Sequence, residues 1–355
     1  MTNTNVKVAV WGFGAMGQGM TKMLLGKKGV EITGICCRNA DRVGKTMFDV
    51  LQMKSEQPDV KIYENVNDAI APKSCDVVLL CTDSFTAKAF EKLEVLAEKG
   101  LNVITIAEEM SYPQAQEPEL AKKIDEMAKK NGISILGTGI NPGLVMDLLA
   151  VLLSAAMTDV TKVMCKRVNS LSPFGPTVMR EQGVGLTHEE FAQGIKDHTV
   201  AGHVGFAESV MMIAEGLGLE YDDFQTQMAP IGTDVDRTSP YGFAAAGNVA
   251  GVNMTAQGLK NGKVVIDMYH PQQIEPEQVG IDTGDYIELT GTPPISMAIK
   301  PEISGGLGTI AMGVNCIPQC INADPGLITM LDIPVPRAIM GDFRKLVKAD
   351  KKIVK

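Results

Sequence analysis

Short apolar runs alternate with helix-spaced apolar positions through the first 140 residues of the chain. Residues 6–11 form an apolar run cut off by Gly12 and read as a buried strand. Met16, Met20, Met23 and Leu24 then recur at helical spacing, so a helix starts at the glycines. Residues 30–36, 76–81, 101–107 and 133–136 are further strand candidates. The run 76–81 is almost continuously apolar, as parallel strands covered on both faces are. Asp83 and Ser84 are placed to cap a helix that carries Phe90, Leu93 and Ala97 and ends at Gly100. Leu120, Ile124 and Met127 mark another helix, ended by Gly132. Strand and helix in alternation predict βαβ units, hence a parallel sheet with helices on both faces.

Past Gly139 the pattern changes. A helix near 144–153 precedes a long, partly alternating strand over 160–169. Lys260-Asn261-Gly262-Lys263 separates two strand-like runs, and Asn-Gly there predicts a tight hairpin turn. Two more strands, 286–291 and 296–299, flank Pro293-Pro294, and residues 306–317 look helical. The fold class expected is α/β. Residues 1–140 form a Rossmann-type doubly wound parallel sheet, completed by a C-terminal helix, 306–355. Residues 141–305 form a second, α+β domain on a mostly antiparallel sheet, which is expected to bind substrate and to form a homodimer.

A chain of 355 residues suits two domains. The net charge of -9 argues against a nucleic-acid partner and against docking on anionic lipid. No apolar run is long enough to span a membrane, and residues 1–7 lack a signal-peptide layout. The seven cysteines are odd in number and none has a zinc-type CxxC spacing. Reduced thiols in the cytoplasm, with no metal, are the expectation.

Chemistry concentrates at the strand ends. Gly12-Phe13-Gly14-Ala15-Met16-Gly17 fits GxGxxG, and it follows a strand and opens a helix. Gly12 permits the tight turn, Gly14 lets a pyrophosphate approach the backbone, and Gly17 lets helix and strand pack closely. A nicotinamide dinucleotide is therefore expected. The second strand ends in Cys36-Cys37-Arg38-Asn39, without the acid that would hold a free ribose 2′-hydroxyl. Arg38, helped by Arg42 or Lys45, suits a 2′-phosphate, which favours NADP over NAD. Cys81 and Thr82 end the strand nearest the expected nicotinamide, and 101–107 runs into Glu108-Glu109. Paired acids leaving an apolar strand suit a general base in a cleft. A third strand end, Gly137-Thr138-Gly139-Ile140-Asn141-Pro142-Gly143, suggests close approach of a ligand or backbone, with Gly139 and Asn141 as cofactor contacts.

The glycine loop, Ala107-Glu108-Glu109-Met110-Ser111-Tyr112-Pro113, the 137–143 segment, Arg167-Val168-Asn169-Ser170 and Gly202-His203-Val204-Gly205-Phe206 belong together. As a set they resemble the 2,4-diaminopentanoate dehydrogenase family, within the dihydrodipicolinate-reductase-like amine dehydrogenases, along nearly the whole chain. The resemblance implies NAD(P)-dependent loss of the C4 amine of 2,4-diaminopentanoate, giving 2-amino-4-oxopentanoate and ammonia, in ornithine fermentation. It implies an acid/base role for Glu108 or Glu109. A carboxylate-bearing diamino acid calls for an arginine fork, for which Arg167, Arg180 and Arg237 are candidates. Asn169, Ser170 and His203 are further candidate substrate contacts.

Dihydrodipicolinate reductases themselves carry paired histidines with a nearby lysine. Here His188, His198, His203 and His270 are all separated in sequence, which counts against cyclic-imine reduction. Aldehyde oxidation needs an activated thiolate, and Cys165, Cys316 and Cys320 have no histidine nearby in sequence. Two other readings stay open: an imine or semialdehyde reductase of the same fold, and a regulator that senses nucleotide ratio without turnover.

Overall fold

The computed structural model describes residues 4–354. Residues 1–3 and 355, which fall inside the expected domain bounds and the expected leaderless start, lie outside the described residues. The chain divides into two compact units: residues up to Gly143 with those from Gly305 on, and Leu144–Ser304.

The first unit runs β1 (Val6–Trp11), α1 (Ala15–Leu25), β2 (Val30–Cys36), α2 (Met47–Leu51), β3 (Ile62–Tyr63), α3 (Val66–Ala69), β4 (Val77–Leu80), α4 (Thr86–Glu98), β5 (Asn102–Thr105), α5 (Pro118–Asn131) and β6 (Ser134–Gly137). Every residue of β4, β5 and β6 is buried, as strands covered on both faces must be. Leu80, Leu93, Leu96 and Ile124 belong to one apolar layer between sheet and helices. One local expectation fails. Neither Asp83 nor Ser84 caps α4; its N-cap is Phe85, which has no capping side chain. Asp83 is drawn instead to Lys92, 2.6 Å away, and Glu109 serves the helix N-terminus from the next βα unit.

The second unit contains α6 (Leu148–Ser154), β7 (Asp159–Ser170), α7 (Pro176–Glu181), α8 (His188–Lys196), α9 (Phe206–Leu217), β8 (Asp223–Gly232), a short ribbon of β9 (Arg237–Thr238) and β10 (Phe243–Ala244), β11 (Val249–Lys260), β12 (Lys263–Gln273), β13 (Gly284–Thr292) and β14 (Ile295–Ile299). The large sheet has the order β14-β13-β7-β12-β11-β8. All its pairings are antiparallel except β7 with β12. The expected hairpin joins β11 and β12, with Asn261 and Gly262 both at positive φ, +50° and +73°. The sequence pattern did not announce α7, α8 or β8. The residues of β8 are mostly exposed, so no apolar alternation marks them.

The chain then returns to the first unit with α10 (Gly305–Asn315), α11 (Ile317–Asn322) and β15 (Gly326–Ile328). The expected C-terminal helix is therefore corrected: α-helix stops at Asn322, and among the described residues the only helical turn after it is 3₁₀, Phe343–Lys345. Pro325, Pro334 and Pro336 cannot continue an α-helix. β15 instead extends the first sheet, whose order β15-β6-β5-β4-β1-β2-β3 is parallel throughout.

Candidate functional site

The turn after β1 is as crowded as a phosphate cradle requires. Gly12 sits at φ +102°, and a Cβ there would lie 2.5 Å from the Cys81 carbonyl oxygen. A Cβ on Gly17 would lie 1.9 Å from the Gly12 carbonyl oxygen, so helix and strand meet only through glycine. Gly14, by contrast, faces open space, with nothing within 4 Å of where its Cβ would be. It is also the N-cap of α1, and no side chain caps that helix. An open backbone at an uncapped helix start suits an anion. The residues thus fit a dinucleotide.

Arg42 donates to the Phe13 carbonyl at 2.6 Å, and the Gln18 amide donates to the same oxygen at 3.1 Å. Arg42 therefore ties the segment after β2 to the glycine loop. Arg38 and Lys45 are exposed. Phe13 is buried, so it serves the loop as an apolar anchor while its carbonyl takes these bonds.

Met16, Cys81, Thr82, Ser84, Lys88 and Glu108 line one recess of about 440 Å³ beside this loop. Glu108 and Glu109 open a turn of 3₁₀ helix directly after β5. Successive side chains in such a turn point about 120° apart, so the adjacent acids diverge. Glu109 turns to α4 and accepts the Thr86 N–H at 2.7 Å. Glu108 keeps its Oε2 buried and without a hydrogen-bond partner. Burial raises the Glu108 pKa above the ordinary carboxylate value; its own N–H and the Ser84 hydroxyl pull it down, and the Glu109 charge raises it. A buried carboxyl with an unpaired oxygen, in a recess beside a dinucleotide cradle, suits proton transfer.

At the end of β6 the Thr138 N–H donates to the Thr105 carbonyl. Asn141 is buried, and its amide nitrogen has no partner. Gly143 packs so closely that a Cβ there would lie 2.6 Å from the Gly139 nitrogen. Gly137 and Gly143 thus serve backbone packing, and Asn141 supplies an unmatched donor.

In the second unit, one face of the sheet changes character along β7 and β12. Its early rows, Val163, Cys165, Ile266 and Met268, are apolar and buried. Its last rows, Arg167, Asn169, His270 and Gln272, are polar yet equally buried. The two strands are parallel, so both polar ends fall together, with Asn169 opposite Gln272. Asn169 Oδ1 and His270 Nε2 are 2.8 Å apart. His203 packs edge-on to His270. Burial and the Arg167 charge lower the His203 pKa to about 4, and His270 is held well below its ordinary value by burial, His203 and Arg167. Nε2 of His203, Nδ1 of His270 and Nε2 of Gln272 are buried without partners.

The arginines are not bare forks. Arg167 is ion-paired with Asp285 and donates to the Ile303 carbonyl at 2.5 Å. Arg237 is spent on Thr233, Gln273 and the Ile274 carbonyl. Arg180 is exposed on the rim of a separate recess with Tyr241 and Phe243. The Ser170 N–H donates to Glu302, and its hydroxyl accepts from the Ser172 N–H. Of the residues singled out in the sequence, the first unit brings together the glycine loop, Cys81, Thr82 and Glu108. The second gathers Arg167, Asn169 and His203. His270 and Gln272 were missed, because a polar strand end reads as surface until the register buries it.

The family model for the 2,4-diaminopentanoate dehydrogenase C-terminal domain matches residues 144–349, and that for the semialdehyde dehydrogenase NAD binding domain matches residues 7–132. The chain is 58% identical over 351 residues to a 2,4-diaminopentanoate dehydrogenase of Acetoanaerobium sticklandii, covering 99% of each chain. It is 22% identical over 352 residues to an amine dehydrogenase of Streptomyces virginiae, covering 94% of this chain and 98% of the relative. Among solved structures it resembles an amine dehydrogenase from Mycobacterium smegmatis, with a TM-score of 0.83 and 25% identity over 95% of this chain and 98% of the other.

Proposed function

The chain belongs to the 2,4-diaminopentanoate dehydrogenase family, and we propose that it oxidatively deaminates 2,4-diaminopentanoate at C4, with Glu108 as acid/base. The products are 2-amino-4-oxopentanoate, ammonia and a reduced nicotinamide. The observation that carries the assignment of the base is the largely buried Glu108 carboxyl, with Oε2 unpartnered, on a residue that lines the same recess as Met16 of the glycine loop.

The nicotinamide cofactor, held at Gly12–Gly17, Cys81, Thr82, Gly139 and Asn141, supplies the hydride acceptor when bound. Glu108 does the proton work. It takes a proton from the C4 ammonium, because only the free amine can release hydride from C4. It releases that proton to solvent, then takes one from the water that adds to the resulting iminium carbon, hands it to the nitrogen, and takes the hydroxyl proton as ammonia departs. A carboxylate with a raised pKa suits both directions.

The α-amino acid end of the substrate needs matched polar groups. His203, His270 and Gln272 offer a buried set with unused hydrogen-bonding capacity, Asn169 holds His270, and Arg167 adds positive charge beside them. Ser170 borders this set. The oxidation of a semialdehyde fits less well: burial pushes the thiols of Cys316 and Cys320 up to about 12 and raises that of Cys165.

NADP is the favoured cofactor on the strength of Arg38. The enzyme is read as a cytoplasmic homodimer of ornithine breakdown, joined through the second sheet. Seven free thiols favour a reducing compartment. No helix among the described residues is long and apolar enough to cross a membrane. Lys166 and Gln227 are exposed on the sheet face opposite the buried histidine cluster.

The test is reduction of NADP and NAD by the purified protein with 2,4-diaminopentanoate, beside a panel of semialdehydes and cyclic imines. Turnover of the diamino acid with release of ammonia is expected. Cofactor binding with no amine oxidised would leave the regulatory reading instead.

A further inference from the structure

Residues 329–354, which follow β15, hold one turn of 3₁₀ helix, Phe343–Lys345, and no other regular element. A stretch of that length without regular structure is uncommon in a compact unit unless it is functional or disordered. This one is pinned along its course. The Ile339 N–H donates to the Asn315 side chain at 3.2 Å, and the Phe343 N–H to the Lys28 carbonyl at 3.0 Å. Asn322, the last residue of α11, grips the strap on both sides of Val347. Its amide nitrogen donates to the Leu346 carbonyl at 2.7 Å, and its oxygen accepts the Lys348 N–H at 2.8 Å. The buried Lys352 donates to the carbonyls of Thr4 and Asn5, both at 2.8 Å.

The pinned strap closes a cavity of about 640 Å³ against α5, α11 and β15. No residue lines both this cavity and the recess at Glu108, and β6, β5 and β4 lie between β15 and the strand that feeds the glycine loop. The volume falls in the usual range of small-molecule clefts, about 300–1,000 Å³. Pro318, Pro334, Ile333 and Ile339 supply an apolar wall.

The charges on the cavity do not cancel. Lys129 pairs with Asp125 at 2.6 Å, and Lys351 with Asp324 at 2.8 Å. Arg337 and Lys348 line the same cavity, are exposed and, among the described residues, have no carboxylate partner. Asp332, the remaining acid, accepts both the N–H and the hydroxyl of Thr329 through one oxygen. In a chain of net charge -9, two uncompensated cations on one preformed cavity call for an anion.

We propose that this cavity is a second ligand site and that it takes a nucleoside monophosphate. Arg337 and Lys348 hold the phosphate, the guanidinium as a two-pronged fork and the ammonium as a point charge. The proline and isoleucine wall covers the base, and the second oxygen of Asp332 accepts a ribose hydroxyl. Inorganic phosphate uses the two cations and leaves the apolar wall bare. The site is independent of the reading of Glu108, because it shares no side chain with the recess.

The dinucleotide cradle also suits an adenosine phosphate, so the experiment is run with that cradle filled. AMP is titrated by calorimetry into the purified enzyme saturated with NADP and, separately, with NAD. Binding should persist in both. Arg337→Ala and Lys348→Ala should each weaken it by ~10-fold or more, the size of one hydrogen bond to a charged group, and leave cofactor affinity unchanged. Both side chains are exposed, and thermal midpoints close to the parent's would show that the fold survives. Adenosine and inorganic phosphate, titrated alone, should each bind at least ~10-fold more weakly than AMP, since each lacks half of the contacts. Hydrogen exchange should slow across residues 332–351 when AMP is added. Loss of AMP binding on saturation with cofactor would place the nucleotide in the cradle and end the proposal. So would AMP binding that both substitutions leave intact, or protection confined to the glycine loop. Inorganic phosphate binding as tightly as AMP would overturn the nucleoside assignment.

Discussion

The imidazoles of His203 and His270 meet edge to face with their ring centroids 4.7 Å apart. One comes from the loop before α9 and the other from the end of β12. Both lie among Phe206, Asn169 and Arg167, and both are held neutral by burial and by the arginine charge. The chain therefore contains a histidine pair that its sequence does not display.

That pair makes stability depend on pH. A histidine whose folded pKa is depressed binds a proton in the unfolded chain before it does in the folded one. Stability should thus rise with pH between about 4, the folded value of His203, and 6.5, its ordinary value, and fall as the solution is acidified through that window. Each proton taken up on unfolding contributes about 1.4 kcal/mol per pH unit. Urea denaturation from pH 7 down to pH 5 should show this slope, and His203→Asn should reduce it. An unchanged slope in that variant would mean that His203 titrates normally.

Glu108→Gln should lower turnover by about 10²–10⁴-fold, the usual contribution of a general acid–base group. Its cofactor affinity should barely change, because the carboxyl lines the recess rather than the phosphate cradle. Glu109→Gln should retain much of the rate. Stopped-flow reduction of the nicotinamide, with ammonia assayed in parallel, checks both; near-parent rates in Glu108→Gln would remove it from the mechanism.

Arg38→Ala should weaken NADP by about 1.5–3 kcal/mol, as expected for a lost hydrogen bond to a charged group, and NAD by much less. Trp11 is the single tryptophan and directly precedes Gly12, so its fluorescence can follow the titration. Equal losses for both dinucleotides would shift the specificity role to Arg42, whose guanidinium already touches the glycine loop at Phe13.

Arg167 and Asp285 form a buried pair, with side chains 3% and 2% exposed. Arg167→Met leaves the Asp285 carboxylate without its partner and should cost about 3–5 kcal/mol of stability. The double replacement Arg167→Met with Asp285→Leu should recover much of that, although the Ile303 N–H, which donates to Asp285, is then left unpaired. Guanidinium denaturation midpoints distinguish the two. Substrate KM should rise in both, since the charge beside His203 is gone.

Some of this protein is written locally. The glycine loop, the Asn261-Gly262 turn and the run of strand into Glu108-Glu109 each depend on a few consecutive residues. Positive φ, helix period and strand period act over that range, so they can be read off the chain. The parallel sheet followed from the repetition of such units. The rest depends on register. Which of two adjacent acids faces the recess is decided by the turn of 3₁₀ helix and by the pull of Thr86 on Glu109. Asn169 and Gln272 meet because β7 and β12 run parallel with that pairing, although about a hundred residues separate them. The same register buries His270, which in sequence is a polar residue before a proline. Likewise β15 is three residues that only the edge of β6 makes into a strand. Local periodicity cannot encode these, because a hydrogen-bonded ladder between distant segments is fixed by the packing of the whole unit.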